Sequence, residues 1–188
     1  MLVVVCAVLL RTTADDPLPA ALIAKGGYME LKMIKVDVPQ GLNVIIGQSH
    51  FIKTIEDLYE ILVSSSSSLK FGVAFSEAST ECLVRHEGND PELEKLAADT
   101  AFSLACGHIF VIFLKDGFPI NVLNAIKACQ EVCSIYCATA NPLEVIVASS
   151  EQGNGIMGVI DGSKPVGIET EQNKQHRKEL LRKFRYKL

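Results

Sequence analysis

The run from His108 to Leu114, a histidine followed by six apolar residues in unbroken succession, constrains this chain most. It is rich in β-branched and aromatic side chains and is bounded by Gly107 and by Lys115-Asp116-Gly117, so it reads as a strand. Phe71 to Phe75 reads as a second strand of the buried type. Leu31 to Val38 alternates as a strand should, and Leu42 to Ile46 follows a turn through Pro39-Gln40-Gly41. Cys82 to Val84, Ile135 to Cys137, Leu143 to Ala148 and Ile156 to Ile160 complete the strand set.

Helices fall between some of these strands. Thr54-Ile55-Glu56-Asp57 matches a capping box, with Leu58, Ile61 and Leu62 at helical spacing behind it. The serines from Ser64 to Ser68 end that helix as a polar turn. Asp90-Pro91-Glu92 combines a cap, a proline at the first turn and an acid against the dipole, and the pattern runs on to Gly107 as the stop. Another helix is expected from Asn121 to Cys129. The last lies within Lys174 to Lys187, with Leu180, Leu181 and Phe184 on a docked face and basic residues on a solvated one. Strands and helices alternate only in part. The expected fold is therefore α+β, one domain with a mixed sheet covered by helices.

With 188 residues, 48% of them hydrophobic and 21% charged, the chain can bury a sizeable single core. A net charge of −4 and the lack of a basic stripe interleaved with aromatics exclude nucleic acid as a partner class. The apolar start, Met1 to Leu10, is too short to span a bilayer and lacks a positive n-region. Lys25-Gly26-Gly27-Tyr28-Met29 can be written AAA-GGA-GGT-TAT-ATG, a ribosome-binding sequence ahead of a start codon. Residues 1–28 are thus expected to be translated upstream sequence or a disordered extension, and residues 29–188 the domain proper. None of the six cysteines forms a Cys-x-x-Cys pair, which suits a reducing cytoplasm. Cys129, Cys133 and Cys137 recur every four residues, but the strand expected at Ile135 favours core thiols over a metal site.

Several segments carry chemistry. Gly153-Asn154-Gly155-Ile156-Met157-Gly158 matches the dinucleotide fingerprint literally, yet a strand follows it where a helix is required. No phosphate-loop or protein-kinase motif is present. His86 and His176 read as solvated. His108 reads as a hydrogen-bonded core residue or a catalytic one, and His50 as loop packing or an anion ligand near the start of a helix. Asn121 and Asn124 share one side of a helix start, while Thr139-Ala140-Asn141-Pro142 forms a loop at a strand end. Amides suit a base edge or ribose hydroxyls. Glu77, Glu144, Glu151 and Asp161 are either solvated or aimed into a site, where an acid could serve as a base or hold magnesium.

Gly47 to Thr54, Phe71 to Ser79, Gly88-Asn89-Asp90, Asn121 to Lys127, Cys137 to Pro142 and Glu151-Gln152-Gly153 together resemble the adenosine-specific kinases, a small prokaryotic family. The resemblance runs from Met29 to Leu188. It implies phosphorylation of adenosine to AMP with ATP and Mg2+, a cytoplasmic homo-oligomer with a trimer as the expected form, and no membrane or nucleic-acid partner. It also implies catalytic roles for His50, Glu77 and Glu151. Substrate contacts are implied for Asn121, Asn124 and Asn141, and Ser49, Lys53, Arg85 and Thr139 join them as candidate contacts from their place near the motifs, with no metal ligands assigned. Ser76 and Cys106 depart from the cysteine and alanine expected at those places. The competing expectation is a regulatory module that binds adenosine or AMP with little catalysis.

Overall fold

A computed structural model describes the backbone of residues 21–24 and 27–188, with side chains from Met29 onward. Most of the expected upstream segment, 1–28, lies outside these residues. Inside it, Ala21–Ala24 forms β1 and pairs with β2, Gly27–Val36. The remaining elements are β3 (Asn43–Ser49), α1 (Thr54–Ser65), β4 (Lys70–Ser76), β5 (Val84–Gly88), α2 (Pro91–Leu104) and β6 (Ile109–Lys115). They are followed by α3 (Pro119–Ala128), β7 (Val132–Thr139), β8 (Leu143–Ser149), β9 (Asn154–Asp161) and α4 (Glu171–Lys183).

Two antiparallel sheets result, one of five strands in the order β5-β4-β6-β3-β7 and one of four in the order β1-β2-β8-β9. The expected single mixed sheet is therefore two sheets within one α+β domain. β6 is central because neither of its faces is polar. Ile109, Val111 and Phe113 point into one core with residues of α2 and the four-stranded sheet, and Phe110, Ile112 and Leu114 into another with α1 and α3. Each such buried side chain contributes roughly 1.5–3 kcal/mol. Gly72 lets α2 lie directly on β4, since a Cβ there would stand 2.1 Å from the carbonyl carbon of Leu93.

Local signals account for most ends. Asp90 caps α2 by accepting from the N–H groups of Glu92 and Leu93, and the serine run ends α1 at Ser65. Four expectations need correction. Thr54 does not cap α1, because Lys53 holds that position and the buried Thr54 hydroxyl donates to the Phe51 carbonyl. Gly107 does not stop α2, which ends in a left-handed Ala105. β5 starts at Val84, since Glu77 and Leu83 are engaged in closing the preceding turn. Finally, α4 docks no face, and none of its residues is buried.

Candidate functional site

The antiparallel registers bring the end of β4, the start of β6, the end of β3 and the start of β7 to one end of the five-stranded sheet. His108 ties the three inner strands together. Its N–H donates to the Ser76 carbonyl at 2.8 Å and its own carbonyl accepts from Ser49 N at 2.9 Å. These bonds hold it at φ 60°, a strained left-handed conformation for a side-chain-bearing residue. The half-buried ring stacks on Phe75 at 5.8 Å between centroids, so its packing partner is an aromatic face. On either side of His108, the buried Ser49 and Ser76 hydroxyls have no hydrogen-bond partner among the described residues. Buried hydroxyls are normally satisfied, and of these two Ser76 lines the cleft at this end of the sheet.

A cleft of about 940 Å³ opens here between the end of α2, the turn after β4 and the β8–β9 turn. Gln48, Ser76, Glu77, His108, Gln152 and Asn154 line it. Glu77 is held in place by Arg85, 2.9 Å from its Oε2, and Arg85 is shared with Glu81 at 2.7 Å. Gln48 accepts the Tyr136 hydroxyl on its Oε1 at 3.1 Å, which leaves its NH2 free to donate. Asn154, at the start of β9, reaches the end of α2 by donating to the Leu104 carbonyl at 3.3 Å. A second hollow of about 560 Å³ lies between α1 and β5, with Lys53 and Arg85 on its walls.

At the same end of the five-stranded sheet, a charge cluster fixes the loop that carries His50. The backbone N–H of His50 donates to the Glu131 carbonyl at 3.1 Å. The buried Glu131 carboxylate takes Lys53 Nζ at 2.9 Å on one oxygen and the Cys129 thiol at 3.0 Å on the other, while Lys53 also reaches Asp57. The hydrogen bonds from Cys129 and Lys53 hold the Glu131 carboxyl down to about 2, and burial pushes the Cys129 thiol up to about 11. Asp57, Cys129 and Glu131 place three potential ligand atoms within 4.8 Å of one another. They do not suit magnesium, which demands oxygen ligands, because a protonated thiol and the Lys53 ammonium occupy the group.

Ser49, His50, Lys53, Glu77 and Arg85 are thus gathered at one end of the sheet, and Glu151 sits in the β8–β9 turn between the cleft residues Ser150 and Gln152. The other expected residues lie elsewhere. Asn121 accepts from the Phe118 N–H at the start of α3, Asn124 is exposed one turn on, and both follow the far end of β6. Thr139 and Asn141 share Asp161 Oδ1, at 2.7 and 3.0 Å, at the opposite end of β7. The N-terminus of α1 is also less open than its sequence suggests. The N–H groups of Thr54, Ile55 and Glu56 donate to the carbonyls of Phe51, Ile52 and Lys53. Gln48, Ser76, Glu131 and Asn154 were not expected as site residues. Only the alternation of β3, which turns Gln48 outward, hinted at one of them.

The fold and the cleft define a single-domain α+β protein with a polar cleft between two sheets. The profile described as adenosine specific kinase matches residues 34–187, and the chain belongs to that family. It is similar to the crystal structure of the PH1918 protein from Pyrococcus horikoshii OT3, with a TM-score of 0.82 and 45% identity. That match covers 85% of this chain and 99% of the other. No protein with a curated description matches the chain. Among the described residues, no helix is long and apolar enough to cross a membrane.

Proposed function

We propose that this protein binds adenosine in the cleft between the sheets and phosphorylates it to AMP, with ATP as donor. The observation that carries this reading is the Glu77 carboxylate, fixed by Arg85 on the wall of a cleft beside the unpartnered Ser76 hydroxyl. Glu77 accepts the proton of the ribose hydroxyl as that oxygen attacks the γ-phosphorus, and the bond to the β-phosphate oxygen breaks to release ADP. Ser76 supplies the hydrogen bond that its buried hydroxyl otherwise lacks. The free NH2 of Gln48 serves an acceptor on the adenine edge. His50 stands at the same sheet end as a phosphate ligand or transient phosphoryl acceptor, and Glu151 borders the cleft. Magnesium arrives with the triphosphate rather than in a site of its own. The cytoplasm as location and a homo-oligomer as working form accompany this reading.

A sensor that binds adenosine or AMP with little catalysis is the second reading, and the state of the cations favours it. Lys53 is bonded to Asp57 and Glu131, and Arg85 to Glu77 and Glu81, so phosphates meet cations that are already neutralised. Calorimetric titration with adenosine, AMP, ATP and GTP, with and without magnesium, measures binding, and incubation with adenosine, ATP and magnesium followed by assay for AMP measures transfer. Binding with AMP formation supports the kinase, and binding without it the sensor. Binding of neither adenosine nor AMP defeats both readings.

A further inference from the structure

The C-terminal arm makes no use of its own apolar residues. Ser163 to Thr170 has no regular structure and is exposed throughout, and α4 beyond it has no buried residue. Yet Leu180, Phe184 and Tyr186 form an apolar patch on the last turns of α4 and just after it, with Phe184 57% exposed. A helix of this length is marginal in water without packing, because nucleation is costly. The Thr170–Asn173 capping box and the exposed pairs Lys174–Glu171 and Arg177–Glu169 contribute little by comparison. The arm is also strongly basic, with seven Lys and Arg against two Glu over residues 171–188.

A matching surface exists on the same chain. Side chains of the four-stranded sheet alternate, so Ile34, Val36, Val145 and Val147 enter the core while Leu31, Met33, Met157 and Ile160 turn outward. Met33 is 62% and Met157 66% exposed, and among the described residues nothing covers this face. Clustered apolar groups on one sheet face mark an interaction surface. The body that carries it, residues 29–170, holds eighteen Asp and Glu against nine Lys and Arg.

We propose that the arm of one copy docks the apolar patch of α4 on the outer face of the four-stranded sheet of a second copy. The charge of the arm is opposite to that of the body it meets, which makes a copy of this chain the fitting occupant. The eight extended residues before α4 reach up to roughly 28 Å, enough to place the helix beyond its own domain. Exchange of an identical element between protomers is a low-cost route to assembly, since each copy already carries both halves of the contact.

Two double variants test the exchange by sedimentation velocity. Leu180→Asp with Phe184→Asp disables the arm, and Met33→Asp with Met157→Asp disables the face. All four positions are exposed, so circular dichroism and the adenosine titration of each variant should match the unaltered chain whether or not the protein is a kinase. The unaltered chain is expected to associate, and less so as salt is added. Each variant alone should sediment as the monomer, and an equimolar mixture should recover association, because one partner retains an arm and the other a face. An arm variant that associates as the unaltered chain does, or a mixture that stays monomeric, overturns the proposal.

Discussion

Lys53 and Glu131, 78 residues apart in the chain, meet at 2.9 Å and fasten the start of α1 to the start of β7. The loop between β3 and α1 carries His50, and this contact positions it together with the bond from the His50 N–H to the Glu131 carbonyl. Its strength depends on pH in a defined direction. The folded-state pKa of Glu131 lies at about 2, below the ordinary 4.5, so its contribution is complete above 4.5 and disappears as pH falls through 2.

Glu131→Gln should therefore lower Tm at pH 6. The deficit against the unaltered chain should shrink steadily between pH 4.5 and pH 2. Thermal unfolding followed by circular dichroism across that range checks it, and a deficit that stays constant down to pH 2 would show that the carboxylate charge is not responsible.

Gly72→Ala places a methyl group against the backbone of Leu93 and Glu94, where the nearest atoms would lie 2.1 and 2.2 Å from its carbon. Backbone atoms cannot rotate aside as a side-chain end can. Either α2 lifts from β4 or the strand bends, at about 1–3 kcal/mol or more. The urea midpoint should fall with little change in m.

Asp90→Ala removes the acceptor for two N–H groups at the start of the same helix. The expected loss is about 1 kcal/mol, and Asp90→Asn should recover most of it because an amide oxygen also caps. Comparing the two variants by chemical denaturation separates the cap from any general effect of substitution.

If adenosine occupies the cleft, Glu77→Ala and Asn141→Ala should behave differently. The first removes a carboxylate from the cleft wall and should weaken binding roughly tenfold, an effect of about 1.4 kcal/mol. The second breaks a bond to Asp161 at the opposite end of β7 and should reduce stability by about 1 kcal/mol without changing affinity. Calorimetric titration of both variants decides, and a tenfold loss in Asn141→Ala alone would move the site to the other end of the sheet.

Periodicity made the elements legible, because β4 and β6 are apolar on both faces and α2 announces its start with Asp90-Pro91. It could not show that β2, β8 and β9 leave the central sheet to form a second one, since a strand looks the same in either. The site was legible residue by residue but not as a group. Asn121 and Asn141 have the chemistry of nucleoside ligands, yet each is engaged in local structure, Asn121 at the start of α3 and Asn141 with Asp161. Ser76 and Gln48 matter through position alone, one on a strand end beside His108 and the other on the outward side of β3. The apolar stripe of α4 was visible as a pattern, but the pattern does not say that a surface of the same chain receives it, and among the described residues none does.

Asn154, at the start of β9, is tied twice to the segment that leads from α2 into β6, through a bridge to Cys106 and through its amide on Leu104 at the end of α2. The cleft is thus a seam, with one wall belonging to each hydrogen-bonded ladder. A molecule that touches both walls is lost when either ladder opens, so it stabilises each against exchange with solvent by the same free energy. Binding at this one place therefore adds a second coupling to the shared core that already joins the two sheets.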